Sequence, residues 1–170
     1  MLYEITIPPF IKILQNLKVV LDKSAQFADG KKIEMEVLLN SRLAPDQFNL
    51  IRQIQIACDT AKLCAARVGG KEAPKNEDGE KTLAELKARI DGTIAFLKTL
   101  SPKDFAGAEA KRITTPRWEG KSLSGTEYVL HHAIPNAYFH MTTAYSILRH
   151  NGVDIGKKDY LGELPFQNKV

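Results

Sequence analysis

Apolar residues recur at three- and four-residue intervals in four separate stretches of the chain, the pattern of amphipathic helices. The first predicted helix runs from Ile7 to Phe27, with Phe10, Leu14, Leu17 and Leu21 in one stripe. Thr6 is its expected cap, Pro8-Pro9 falls in the first turn where proline is tolerated, and Gly30 closes it. The second covers Gln47 to Val68, with Ile51, Ile54, Cys58, Ala61, Ala65 and Val68 as its seam. Ala44-Pro45-Asp46 starts it and Gly69-Gly70 stops it. The third opens on Thr82 and Glu85, a capping box, and carries Leu83, Leu86, Ile90, Ile94, Leu97 and Leu100 before Ser101-Pro102. The fourth runs from Pro135 to Asn151 and stops at Gly152.

Between these seams the pattern weakens. Lys31 to Arg42 supports one or two helical turns, and Gly69 to Lys81, with its glycines, proline and charges, reads as a linker. Gly107 to Val129 suggests a small irregular or hairpin excursion, and Val153 to Val170 a tail packed as a loop. Four seams predict an all-α protein, one four-helix-bundle domain over residues 1–170. The linker can stretch about 40 Å, enough to run the length of a bundle, so the second and third helices are expected to be parallel, up-down-down-up.

Composition adds limits. Of 170 residues, 44% are hydrophobic and 26% charged, which is ordinary for a globular chain. The net charge of +4 is spread thinly, without the basic stripe and interleaved aromatics that nucleic acid would need. No apolar run suits a membrane span, and the start lacks a signal-peptide pattern, so a cytoplasmic protein is expected. Cys58 and Cys64, six residues apart on one helix, lie too far apart for a disulfide and read as buried thiols.

The candidate chemistry sits on the second and fourth helices. Asn136 and His140, four apart, stack on one inward face. Asp59 lies between two apolar stripes, with Gln55 and Lys62 on its strip. The expectation is one shared polar site of Gln55, Asp59, Asn136 and His140; if Asp59 accepts a hydrogen bond from His140 there, the imidazolium is favoured and its pKa rises. Three readings stay open: a satisfied polar core, a small-ligand pocket, or a metal site. The bland reading of Asp59 is an i,i+3 ion pair with Lys62. His131-His132 are read as exposed or capping, Trp118 as a loop anchor, and Tyr138 with Tyr145 as packing residues. No phosphate loop or nucleophile elbow occurs.

The segment from Pro135-Asn136 through His140, Thr142-Thr143-Ala144-Tyr145 and Leu148-Arg149-His150-Asn151-Gly152 to Asp159-Tyr160-Leu161-Gly162 resembles the signature of a bacterial domain-of-unknown-function family, DUF1993. That family is a branch of the DinB/YfiT-like superfamily. Arg42-Leu43-Ala44-Pro45-Asp46, followed by Gln53, Asp59 and Ala61-Lys62, resembles its second-helix region. The resemblance implies an up-down-down-up four-helix bundle, often dimeric, with no settled activity for this branch. Many members of the wider superfamily hold a divalent metal through three histidines, one on the second helix and an H-x-x-x-H pair on the fourth. Some are thiol-dependent transferases or isomerases. Here His140 matches the last of those ligands, Asn136 stands where the preceding histidine would be, and Asp59 is the nearest candidate on the second helix.

Two classes follow. The first is a small-ligand-binding or non-catalytic module with a degenerate metal site, possible as a homodimer and without a cofactor. The second is a metal- or thiol-dependent enzyme in which Asp59 and His140 hold zinc or nickel and Asn136 orients water or substrate. Whether the protein is an enzyme stays open at this stage.

Overall fold

The structure, a computed structural model, describes residues 1–167. Its core is four long helices. α1 spans Leu2–Lys31, α3 Leu50–Gly69, α4 Leu83–Leu97 and α6 Ile134–His150, with a short α2 (Met35–Asn40) between the first two. α1 starts five residues before the expected position. Thr6 is no cap: its hydroxyl donates to Leu2 O within the helix, and Pro8 and Pro9 lie inside it. Gly30 does not close the helix either; Lys32 ends it in a left-handed conformation. α3 is capped by Asn49, whose side chain accepts from Arg52 N. α4 opens with the expected box, Thr82 Oγ1 accepting from Glu85 N while Glu85 accepts from Thr82 N.

Cross-helix contacts settle the direction of each rod. On α3 and α4, Asp59 meets Arg89 while Gly69 lies against Leu100, so the two helices run parallel. α1 and α4 are antiparallel: Lys18 pairs with Asp91 and Asp22 with Lys87. α3 and α6 are antiparallel as well, with Gln53 beside His140 and Thr60 beside Asn136. The result is an up-down-down-up bundle. One core runs its length, including Phe10, Leu14, Leu21, Leu50, Ile54, Leu86, Ile90, Leu97 and Ile147, and burying these side chains is the main stabilising term. Cys58 and Cys64 belong to that core; burial pushes both thiols up to about 12, far from reactive.

The excursion contains the expected hairpin, reduced to β1 (Arg112–Ile113) paired antiparallel with β2 (Leu123–Ser124). It docks on the bundle where α5 (Gly125–Tyr128) begins. A Cβ at Gly125 would stand 1.8 Å from the carbonyl oxygen of Ala108, so this approach requires glycine. α5 continues through a single π turn, Val129–Ala133, into α6. The tail is not all loop: α7 (Lys157–Leu161) packs on α1, with Lys23 on Asp159 and Asn16 donating to Tyr160 O. The final three residues of that predicted loop lie outside the described residues. Among the described residues no helix is long and apolar enough to cross a membrane.

Candidate functional site

α3 presents Gln53, Thr60 and Arg67 to the α6 rod. Seven residues make nearly two full turns, so the three share one face. Gln53 Oε1 lies 2.7 Å from His140 Nδ1, Asn136 Nδ2 donates to Thr60 Oγ1 at 2.7 Å, and Arg67 Nη1 donates to Tyr128 Oη at 3.0 Å. On an unbroken α-helix Tyr128, eight residues before Asn136, would point about 80° away from this row. The π turn between them absorbs one residue and brings Tyr128 back to face Arg67. Three polar pairs therefore line the α3–α6 seam.

The His140 pair fixes its own tautomer. Gln53 Nε2 donates to Phe48 O, so Gln53 Oε1 is the acceptor and His140 Nδ1 carries the proton. Nε2 is left with its lone pair, and no described residue hydrogen-bonds to it. Burial, and then the positive charge of Arg52, hold the imidazole's pKa below its usual value. The ring is neutral at pH 7 and can accept a hydrogen bond at Nε2. Asn136 Oδ1, one turn away, likewise has no partner among the described residues. At this end of the seam two phenylalanines are exposed, Phe48 (54%), whose carbonyl accepts from Gln53, and Phe139 (56%). Phe139 meets His140 edge to face, and Arg52 lies 6.0 Å above the Phe48 ring.

Asp59 and Gln55 do not join His140 and Asn136 in one site. At 100° per residue both point some 100° or more away from the Gln53–Thr60 face, toward α4 and the α3–α4 linker. Asp59 pairs with Lys62 and Arg89, each at 2.9 Å, and accepts from Asn76 of the linker at 3.1 Å. Gln55 donates to Glu80 and accepts from Arg52. Asp59 and His140 therefore have separate partners, the condition for a raised His140 pKa is not met, and burial moves that pKa down. Arg89, whose side chain is 1% exposed, is the hub on this side: it reaches Asp59, Asp78 and Glu80. Nothing marks Arg89 in the sequence beyond its place beside an apolar seam.

A metal held as in the histidine-ligated superfamily members does not fit these residues. His140 Nε2 and Asn136 Oδ1 are two neutral donors, and the carboxylate that would complete the set is neutralised by a lysine and an arginine. Among the described residues no three His, Cys, Asp or Glu side chains gather to hold an ion.

The remaining candidates have structural partners. Tyr145 packs edge to face on Tyr160 and donates to Ile155 O. Arg42 and Arg149 donate to loop carbonyls, Gln47 O and Val153 O. Trp118 anchors the excursion against Tyr128 and His132.

The model of the domain-of-unknown-function family DUF1993 matches residues 2–161. The chain belongs to this family. A crystal structure of a DinB family member from Shewanella denitrificans superposes with a TM-score of 0.97 at 57% identity, covering 99% of this chain and 96% of that one. None of the curated proteins compared matches. Membership of DUF1993 agrees with the His140 signature and the up-down-down-up bundle, and carries no activity with it.

Proposed function

We propose that this DUF1993 protein is a small-ligand-binding bundle, in which a ligand seats against His140 at the Phe48–Phe139 end of the α3–α6 seam. The observation that carries the reading is the fixed tautomer: Gln53 holds Nδ1–H, and Nε2 of a neutral ring is presented as an acceptor. The ligand this favours offers an N–H or O–H to Nε2 and Asn136 Oδ1 and lays an apolar face on the two phenylalanines. Nothing in the site requires chemistry to follow, so a non-catalytic binding role in the cytoplasm is the simplest statement. A second copy covering Phe48 and Phe139 would give the homodimer that family resemblance implies.

One observation supports a metal- or thiol-dependent enzyme as the second reading. A histidine whose Nδ1 is held by an amide oxygen is oriented as metal-binding histidines are. Non-denaturing mass spectrometry with elemental analysis, on protein purified without chelator or nickel resin, separates the two. The binding reading expects an organic adduct that disappears in His140→Ala, with that variant still folded. Stoichiometric zinc or nickel lost in His140→Ala would favour the enzyme. Neither adduct nor metal, with only a loss of stability in the variant, would reduce the pair to core packing and overturn both.

A further inference from the structure

At the far end of the seam from His140, the excursion and the π turn enclose a second pocket. Trp118, Tyr128 and His132 meet there, with ring centroids 5.9 Å apart for Trp118–Tyr128 and 5.4 Å for each contact with His132. Tyr128 is buried and packs behind the other two rings, while Trp118 and His132 are half-buried. Trp118 and His132, together with Lys121, Ser122 and Leu123, line an open pocket of about 420 Å³, the size of a small-molecule site.

Two unusual pieces of backbone produce this space. The π turn aims His132 at Tyr128 and Trp118. On the excursion, Glu119 (φ 50°) and Gly120 (φ 86°) are consecutive left-handed residues, and they return the chain so that Lys121 N donates to Trp118 O at 2.8 Å. A glutamate at positive φ is strained, and such strain collects where a loop has to hold a definite shape.

The charges around the pocket are unbalanced. Neither Lys121 nor Arg112 makes an ion pair among the described residues. Arg112 Nε donates to Ser122 Oγ at 2.8 Å, which holds its positive charge beside the lining. Glu127, next to Tyr128 in the chain, is occupied in the Ser124 cap. Glu119 is exposed on the outer turn. An indole, an imidazole and a leucine with cations at one edge match a flat aromatic body carrying a negative group.

We propose that this pocket is a binding site for small planar aromatic anions of the aryl carboxylate class. The ring lies on Trp118 and His132, and the carboxylate meets Lys121 at the edge backed by Arg112. The site is separate from the one at His140 and does not depend on it.

Trp118 is the only tryptophan, so its indole N–H is a unique nuclear magnetic resonance signal. Titration with 2-naphthoate is expected to shift that signal to saturation. 2-Naphthylmethanol, which lacks the charge, and cyclohexanecarboxylate, which lacks the aromatic ring, should each bind roughly fivefold more weakly. Lys121→Ala should lower naphthoate affinity to that of the alcohol while thermal unfolding stays unchanged. Trp118→Ala, followed by line broadening of the ligand, should lose binding, and His140→Ala should retain it. The proposal is overturned by the absence of a saturable shift, by Lys121→Ala leaving the preference for the anion intact, or by perturbations centred on His140.

Discussion

At His140 burial and the Arg52 guanidinium act in the same direction, and both disfavour the imidazolium. A ring titration should therefore place His140 below the ordinary histidine value, and Arg52→Gln should move it only part of the way back, because burial is the larger cause. The stability consequence has a definite sign. A histidine whose folded pKa is lowered leaves the unfolded chain holding more protons between the two values, so stability rises with pH through that interval and levels off above about 6.5. Urea unfolding at about pH 5 and pH 7 should show this gain in the wild type and a smaller one in His140→Gln. The sequence showed that Asn136 and His140 share an inward face, because i,i+4 spacing dictates it. It did not show that Asp59 turns away. An aspartate between two apolar stripes borders two neighbouring helices, and only Arg89 on α4 decides which one it meets.

Among the elements, the linker between Gly69 and Leu83 shows how a segment without secondary structure is held in place. Asn76, Asp78 and Glu80 fasten it to Asp59, Arg52, Gln55 and Arg89. Burial raises the Asp78 and Glu80 pKa values, but hydrogen bonds from Arg52 and Arg89 to Asp78, and from Arg89, the backbone and Gln55 to Glu80, outweigh it and hold both below the usual carboxylate range. Their contribution is thus complete above the unfolded values near 4 and is lost as pH falls through the lower folded ones. Arg89→Met removes the hub. Each carboxylate or its neighbour keeps a second partner, so the cost should be about 1–3 kcal/mol, below that of orphaning a fully buried ion pair. Hydrogen-exchange protection over residues 71–81, taken relative to the intrinsic rate at each pH, should fall in the variant by more than in the helices, and in the wild type should fall similarly on acidification. Uniform change across the chain would mean the clamp acts on the whole bundle. Such clamps escape a sequence reading because Asp59, Asp78, Glu80 and Arg89 are far apart along the chain. Caps are local and were legible: Thr82 with Glu85 marked the start of α4 to the residue. The start of α1 was not, because Pro8-Pro9 imitates a first turn while a proline pair one turn further in still leaves the preceding turn free to form.

At the scale of the whole molecule, the parallel course of α3 and α4 obliges the chain to travel back along the bundle. Contacts trace that route: Lys71 lies by Thr99 and Asp104 at one end, Asn76 beside Asp59, and Glu80 beside Gln55 near the other. From Gly69 to Gln55 the helix rises about 21 Å. Seven extended residues cover that distance, so the eleven from Gly69 to Glu80 leave slack. Deleting Glu72 to Lys75 leaves seven residues from Gly69 to Glu80, about 23 Å, which still reaches Gln55 but gives up the Asn76–Asp59 contact, so the variant should fold with a circular dichroism spectrum like the wild type and a modestly lower melting temperature. Replacing Lys71 to Lys81 by a two-residue turn removes the reach. α4 would then have to reverse, which would separate Arg89 from Asp59 and set Lys87 and Asp91 away from Asp22 and Lys18. That variant should lose its cooperative unfolding transition while keeping helical content. A cooperative, fully stable short-loop variant would mean that linker length does not determine the parallel arrangement.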